Sequence, residues 1–210
     1  MRIGVDFDNT IACYDGAFHL AALERGLIPQ DLSRGKNDVR DFLNSSGRKD
    51  DFTELQGYVY GARMDLAALY PGVLDFFDAA RRRGDELFIV SHKTRYPLRG
   101  APHDLHAAAR AFLETHGVIG AERYVAPQHV FFEETKDAKI ARVGTLDLDA
   151  FIDDLPEILS MPGFPAQTAA FLFDPDGRWP GGYSDARPMN RYGSWPALAT
   201  ALLAPAAPRI

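Results

Sequence analysis

The residues best suited to chemistry stand near the start of the chain. Asp6-Phe7-Asp8-Asn9-Thr10 directly follows the apolar run Ile3-Gly4-Val5, so two carboxylates emerge together at the end of an expected buried strand. In an open α/β sheet ligands bind outside the carboxyl ends of the strands, and strand alternation turns Asp6 and Asp8 to one side and Phe7 to the other. Two like charges this close need a cation or a shared proton. A hard divalent metal such as Mg²⁺, which takes oxygen ligands, keeps both ionised and leaves one free to attack an electrophile.

Three further segments repeat the pattern of an apolar run that releases polar groups. Phe88-Ile89-Val90 ends in Ser91, His92 and Lys93. A hydroxyl at a strand end can donate to a phosphate oxygen, although Ser91 taken alone is more often a turn former than a ligand, and His92 more often a structural or solvated residue than a general base. Val130-Phe131-Phe132 leads through Glu133, Glu134 and Thr135 into a helix bearing Lys136 and Lys139. A lysine there neutralises both a nucleophile and a phosphate. The first-turn position favours Lys136, with Lys139 expected to face solvent. Phe151-Ile152 releases Asp153 and Asp154, followed by Leu155-Pro156-Glu157. Asp153 can complete the metal site, whereas Asp154 and Glu157 either bind metal-coordinated waters or favour the N-terminus of the next helix through its dipole.

The elements that must position these groups follow from periodicity. Apolar runs predict strands over 3–6, 87–91, 129–132, 150–153 and 169–173, alternating with helix-like segments over 71–83 and 102–116, the pattern of a parallel sheet with crossover helices. A final helix is expected over 195–203. The segment 14–70 breaks the alternation, with helical spacing over 15–25, 38–43 and 52–65 around a polar middle. It reads as a small helical cap inserted after the first strand, leaving 1–13 and 71–210 as the core.

The four polar strand ends, in this order, resemble the motifs of the haloacid dehalogenase (HAD) superfamily of phosphotransferases. The resemblance covers roughly 1–13 and 71–175. It implies an α/β fold with a Rossmann-like parallel five-stranded sheet flanked by helices, and a type-one helical cap. It also implies that Asp6 is the nucleophile forming an aspartyl-phosphate, Asp8 the general acid and base, Ser91 the phosphate-binding hydroxyl and Lys136 the motif-three lysine. Mg²⁺ would be held by Asp6, the backbone carbonyl of Asp8, and Asp153. The presence of Asp8 favours phosphoryl transfer over dehalogenation, whose branch lacks that carboxylate and needs no Mg²⁺.

Cap residues Arg48, Lys49, Tyr58, Tyr60 and Arg63 are candidate substrate contacts, since aromatic faces stack on rings and guanidinium groups bind anions. Gly57 and Gly61 are expected to loosen the helix around the two tyrosines. The basic run Lys93-Thr94-Arg95-Tyr96-Pro97, with His103, suits a second anionic group, and His92 and Lys93 join the expected substrate-binding set. The stretch 174–194, with Trp179, Tyr183, Arg187, Asn190, Arg191 and Tyr192, reads as a long loop that either closes over the pocket or packs the final helix. The last residues, 204–210, read as a frayed tail.

The totals exclude other classes. A net charge of −6 argues against a nucleic-acid polymer as partner. The single cysteine, Cys13, forms no internal disulfide, and the chain enters its first strand without a charged leader and apolar signal core, so the expected compartment is cytoplasmic. No apolar run approaches the roughly 20 residues that span a bilayer. The expected function is a Mg²⁺-dependent phosphatase acting on a small phosphorylated metabolite such as a nucleotide or sugar phosphate. The alternatives are a phosphotransferase or phosphomutase of the same superfamily and a non-enzymatic phosphate-ligand binding module; the sequence sets no oligomeric state.

Overall fold

The computed structural model describes residues 1–179 and 189–204. Its strands are β1 Arg2–Val5, β2 Ala12–Cys13, β3 Ala68–Leu69, β4 Glu86–His92, β5 Val130–Glu133, β6 Ala150–Asp153, β7 Ala169–Phe173 and β8 Asn190–Tyr192. Its α-helices are α1 Ala17–Glu24, α2 Lys36–Ser45, α3 Lys49–Gly61, α4 Val73–Arg83, α5 Leu105–Thr115, α6 Lys136–Thr145, α7 Pro156–Leu159 and α8 Trp195–Leu203. The chain divides into two compact units, one formed by Met1–Ile11, Tyr70–His92 and Gly117–Ile210, the other by Ala12–Leu69 and Lys93–His116.

The first unit is a six-stranded sheet in the order β5-β4-β1-β6-β7-β8, and every neighbouring pair is parallel. From β1 the chain builds outward through β4 to β5, then returns across β1 to place β6, β7 and β8 on the other side. The order therefore reverses between β1 and β6, which is where an open parallel sheet leaves a crevice at its carboxyl ends. Five of these strands are the ones expected from apolar runs. The sixth, β8, lies in the stretch read as a loop: Asn190 and Arg191 are exposed, so this edge strand carries no apolar alternation and is specified by backbone pairing to β7. The expectations for Tyr183 and Arg187, and for the tail beyond Ala204, lie outside the described residues.

Burial on both faces explains why the strands read as continuous apolar runs. On one face Phe88, Val90 and Phe151 pack with Ile140 and Val143 of α6 and with Ile158 and Leu159 of α7. On the other, Trp195 of α8 meets Phe76, Phe77 and Phe173 with ring centroids 4.9, 5.9 and 5.5 Å away. Its indole N–H donates to Thr10 O at 3.1 Å, so the largest buried side chain leaves no polar atom unpaired. Helix α4 is delimited by Gly72 and Gly84, whose φ values of 86° and 85° fall in the left-handed region open to glycine.

The second unit comprises α1, α2, α3, a 3₁₀ turn Met64–Leu66, α5 and the antiparallel β2–β3 pair. Phe18, Val39, Leu43, Phe52, Leu55 and Val59 are buried in it, as are Leu105, Ala109 and Phe112 of α5. The segment 93–116 thus joins the helical unit, although its place between two core strands had assigned it to the core. Its apolar stripe at 105, 109, 112 and 113 is where sequence places it; periodicity identifies a buried face but not the surface that covers it.

Gly57 and Gly61 do not bend α3, which runs continuously to Gly61. A Cβ at Gly57 would stand 2.6 Å from Pro97 Cβ and one at Gly61 2.4 Å from His103 Cβ. The missing side chains let the segment 97–103 lie directly on the helix. No described helix is long and apolar enough to cross a membrane.

Candidate active site

The carboxyl ends of β1 and β6 bring the two principal acids together. Val5 pairs with Ile152, and Asp6 N donates to Ile152 O at 2.9 Å. One step further along each strand stand Asp6 and Asp153, 4% and 0% exposed. Beyond Asp6 the chain turns sharply. Phe7 points into the core against Phe132, Ile11 N donates to Phe7 O at 3.0 Å, and Asn9 takes the left-handed φ of 58° that asparagine tolerates. The turn returns Thr10 Oγ1 to within 3.4 Å of Asp6 Oδ2.

The lysine of the site is Lys139. Its Nζ donates to Asp6 Oδ1 at 2.5 Å and to Asp153 Oδ2 at 2.6 Å, with only 3% of the side chain exposed. Lys136, the expected residue, instead pairs with Glu157 Oε1 at 2.5 Å, with side chains 42% and 59% exposed. Helix geometry accounts for the correction. Helical side chains lean toward the N-terminus, so a residue covers the turn before its own Cα. Thr135 caps α6 by accepting from Ala138 N at 3.1 Å, which makes Lys136 the first helical residue. From there its side chain reaches past the helix end to Glu157, while Lys139, one turn in, reaches back to the strand ends.

Burial and charge act together on this group. Desolvation pushes Asp153 up to about 6; Lys139 opposes that push and Asp6 adds to it. For Lys139, burial alone disfavours the ammonium, but Asp153 and Asp6 outweigh it and hold its pKa above the ordinary value. One buried cation between two buried carboxylates leaves the site with surplus negative charge.

Asp154, half-buried, joins them: Asp6, Asp153 and Asp154 each present a carboxylate oxygen within 4.8 Å of the others. Asp153 Oδ1 is further held by Leu155 N at 2.9 Å. Three carboxylates against one ammonium form an oxygen-donor set of net charge −2, the kind of site that suits a hard divalent cation. The half-buried Asp8 carboxylate is not a member of this cluster.

Ser91, one residue before the end of β4, is 1% exposed and stands opposite Phe132 of β5. His92 Nε2 lies 3.2 Å from Glu134 O; burial lowers its pKa, and the Lys139 and Lys136 charges reinforce that against the Glu134 carbonyl.

In the helical unit the candidate contacts separate. Tyr60 receives a hydrogen bond from Lys36 Nζ at 2.7 Å and has Lys93 Nζ 4.5 Å from its ring centroid, with Lys93 only 4% exposed. Lys36 carried no sequence signal, being one lysine in a polar stretch. Tyr58, two residues before Tyr60 and so about 200° around the helix, stacks under Arg25 instead, 4.9 Å from ring centroid to guanidinium carbon. Arg63 is engaged by Asp65 and Glu24, and its hydrogen bonds to Asp65 and Tyr58 hold its pKa above the ordinary value. Arg48 binds Asp51 at 2.6 Å and Leu27 O at 2.9 Å, and Lys49 is exposed at the start of α3. The structure therefore groups Tyr60 with Lys93 and Lys36 and leaves Lys49, Tyr58, Arg63 and Arg48 outside that group.

No protein-family model matches the chain, and no curated protein matches it in sequence. Solved structures do share its fold. A HAD family hydrolase from Deinococcus radiodurans R1 with bound phosphate and sodium aligns with a TM-score of 0.58 and 15% identity, covering 96% of this chain and 94% of that one. A dehalogenase aligns with a TM-score of 0.57 and 12% identity over 97% of each chain. A HAD hydrolase from Bacillus subtilis bound to magnesium aligns with a TM-score of 0.52 and 12% identity, covering 96% of this chain and 97% of that one. The fold is that of HAD-superfamily hydrolases. Because the set includes a dehalogenase, the choice of reaction rests on the residues at the strand ends.

Proposed function

We propose that this chain is a HAD-superfamily phosphatase that hydrolyses a small phosphomonoester with Mg²⁺, by way of a phosphoryl group carried on Asp6. The observation that carries the reading is the buried Asp6–Lys139–Asp153 group, with Asp154 beside it, at the reversal point of a parallel sheet. Burying three charges is costly unless each is paired, and a structural role would be served as well by apolar residues. The phosphate and the magnesium of the two neighbouring hydrolases agree with this reading in kind.

Asp6, Asp153 and Asp154 would hold the metal, which when bound supplies positive charge that lets an anionic phosphoryl group approach a carboxylate. The chain's own residues do the rest. Lys139 fixes the Asp6 carboxylate and offsets charge on the transferred oxygens, and the Ser91 hydroxyl donates to one of them. An Asp6 oxygen attacks phosphorus as the ester P–O bond breaks, and Asp8 gives its proton to the departing alkoxide. Asp8 then takes a proton from water, whose oxygen attacks phosphorus, breaks the bond to Asp6 and releases inorganic phosphate. Asp8 distinguishes this chemistry from dehalogenation, which has no alkoxide to protonate.

The test is Mg²⁺-dependent release of inorganic phosphate across a panel of nucleotide, sugar-phosphate and short-chain phosphomonoesters, with acid-quench trapping of phosphoenzyme. Phosphate release that requires Mg²⁺, with label retained on Asp6, is expected. A phosphorylated isomer accumulating in place of phosphate would overturn hydrolysis, and the absence of turnover on every ester would overturn the enzyme assignment.

A further inference from the structure

The stretch after β7 is organised around a buried carboxylate. The Asp174 side chain, 2% exposed, accepts from Arg178 N at 2.8 Å through Oδ1 and from Trp179 N at 3.0 Å through Oδ2, and its Oδ2 pairs with Arg191 Nε of β8 at 2.8 Å. Asp174 N donates to Tyr192 O at 2.9 Å, and Gly177, with φ 66°, donates from its own N–H to Asp174 O at 3.3 Å. These bonds fold 174–179 back over the strand ends, where the Trp179 indole N–H donates to Asp154 O at 3.1 Å. The cavity bounded by Asp154, Trp179, Tyr70 and Asn9 measures about 40 Å³. That is room for a water or two.

Asp153 and Asp154 are consecutive. Leu155 N orients the carboxylate of the first, and Trp179 ties down the peptide carbonyl of the second. We infer that Trp179 is a positioning residue: its indole N–H fixes the Asp154 main chain, and so orients the Asp154 carboxylate toward the cation that Asp6, Asp153 and Asp154 would hold, with Asp174 and Arg191 as the frame that keeps Trp179 in place. This inference rests on the proposed reading of those three acids as the metal site.

The test measures Mg²⁺ affinity by calorimetry on the full chain for wild type, Trp179→Phe and Asp154→Asn. In parallel, the Trp179 indole N–H resonance, assigned by connectivity, is followed in wild type through the same titration. Trp179→Phe keeps an aromatic ring and loses the donor; it is expected to weaken Mg²⁺ about tenfold, as loss of a group that orients a ligand typically does, while melting close to wild type. The resonance is expected to move with the same dissociation constant as the calorimetry. A folded Trp179→Phe that binds Mg²⁺ within about twofold of wild type overturns the inference, and if that variant does not fold, an unmoved resonance does. Asp154→Asn still losing affinity in either case leaves the metal site standing, whereas wild type that binds no Mg²⁺ overturns both.

Discussion

The strand ends of the first unit and the helical surface of the second place charge in opposite ways. Asp6, Lys139 and Asp153 are 5% exposed or less at their side chains and bond to one another. Arg48 and Asp51 in the helical unit are 38% and 41% exposed and form a local pair across one helical turn. An exposed pair is inexpensive and contributes little, whereas a buried triad is retained only where each charge is answered. Burial together with pairing to the other strand-end charges sets the Asp6–Lys139–Asp153 group apart from surface pairs of the same kind. Tyr60 with Lys36 and the buried Lys93 is the part of the helical unit that shares the character of the strand ends.

The contrast is broken most severely at its centre. Asp6→Asn is isosteric, keeps a hydrogen-bond acceptor for Lys139 and removes the charge. Turnover is expected to fall by at least about a thousandfold, with an unchanged far-ultraviolet spectrum; an Asp6→Asn enzyme within tenfold of wild type would refute the nucleophile. Lys139→Met follows, because it leaves Asp6 and Asp153 facing each other without their cation. The loss expected near pH 7 is about 3–5 kcal/mol of stability, read by urea unfolding, together with most of the phosphate release. Added Mg²⁺ should recover part of the stability, since it answers the same surplus charge.

A smaller effect reads the same charge through pH. The Asp153 carboxyl is raised from 3.8 to about 6, so the folded metal-free protein holds that proton more tightly than the unfolded chain does. The contribution of this group to stability is fully present below 3.8 and is lost as pH rises through about 6. Mg²⁺ requires the ionised form, so its affinity should fall about tenfold per pH unit below 6 and level off above it. Isothermal titration at several pH values checks this, and Asp153→Asn should abolish the dependence along with most of the affinity.

The sequence was most legible where an apolar strand meets an acid. Asp6 and Asp153 stand at the ends of β1 and β6 because a strand covered on both faces has no other place to set a carboxylate among polar partners. Lys139 was hidden because both lysines of α6 lie within one turn, and only the backward lean of helical side chains decides which of them reaches the sheet. The exposed β8 left no alternation to read, and α5 showed its apolar stripe without naming its partner. Gly57 and Gly61 carried the right observation with the wrong cause: their absent side chains serve contact with 97–103, a long-range property that helix propensity does not contain. Gly57→Ala tests that cause. Propensity alone favours alanine by up to about 1 kcal/mol, while a Cβ 2.6 Å from Pro97 Cβ forces a shift costing about 1–3 kcal/mol. Net destabilisation in thermal unfolding is expected, and a stabilised variant would mean the segment 97–103 yields freely.

Lys136→Met gives the smallest effect and the sharpest comparison, because it removes the same side chain from the same helix three residues away. Its partner Glu157 is 59% exposed, and Lys136 itself 42% exposed, so water answers whatever charge the substitution strands. A change of at most about 1 kcal/mol in unfolding free energy is expected, with phosphate release and Mg²⁺ affinity near wild type. If Lys136→Met instead lost activity as Lys139→Met does, the first-turn lysine would have to leave Glu157 and reach the reacting group during turnover, and burial would no longer serve as the guide to which charges do chemistry here.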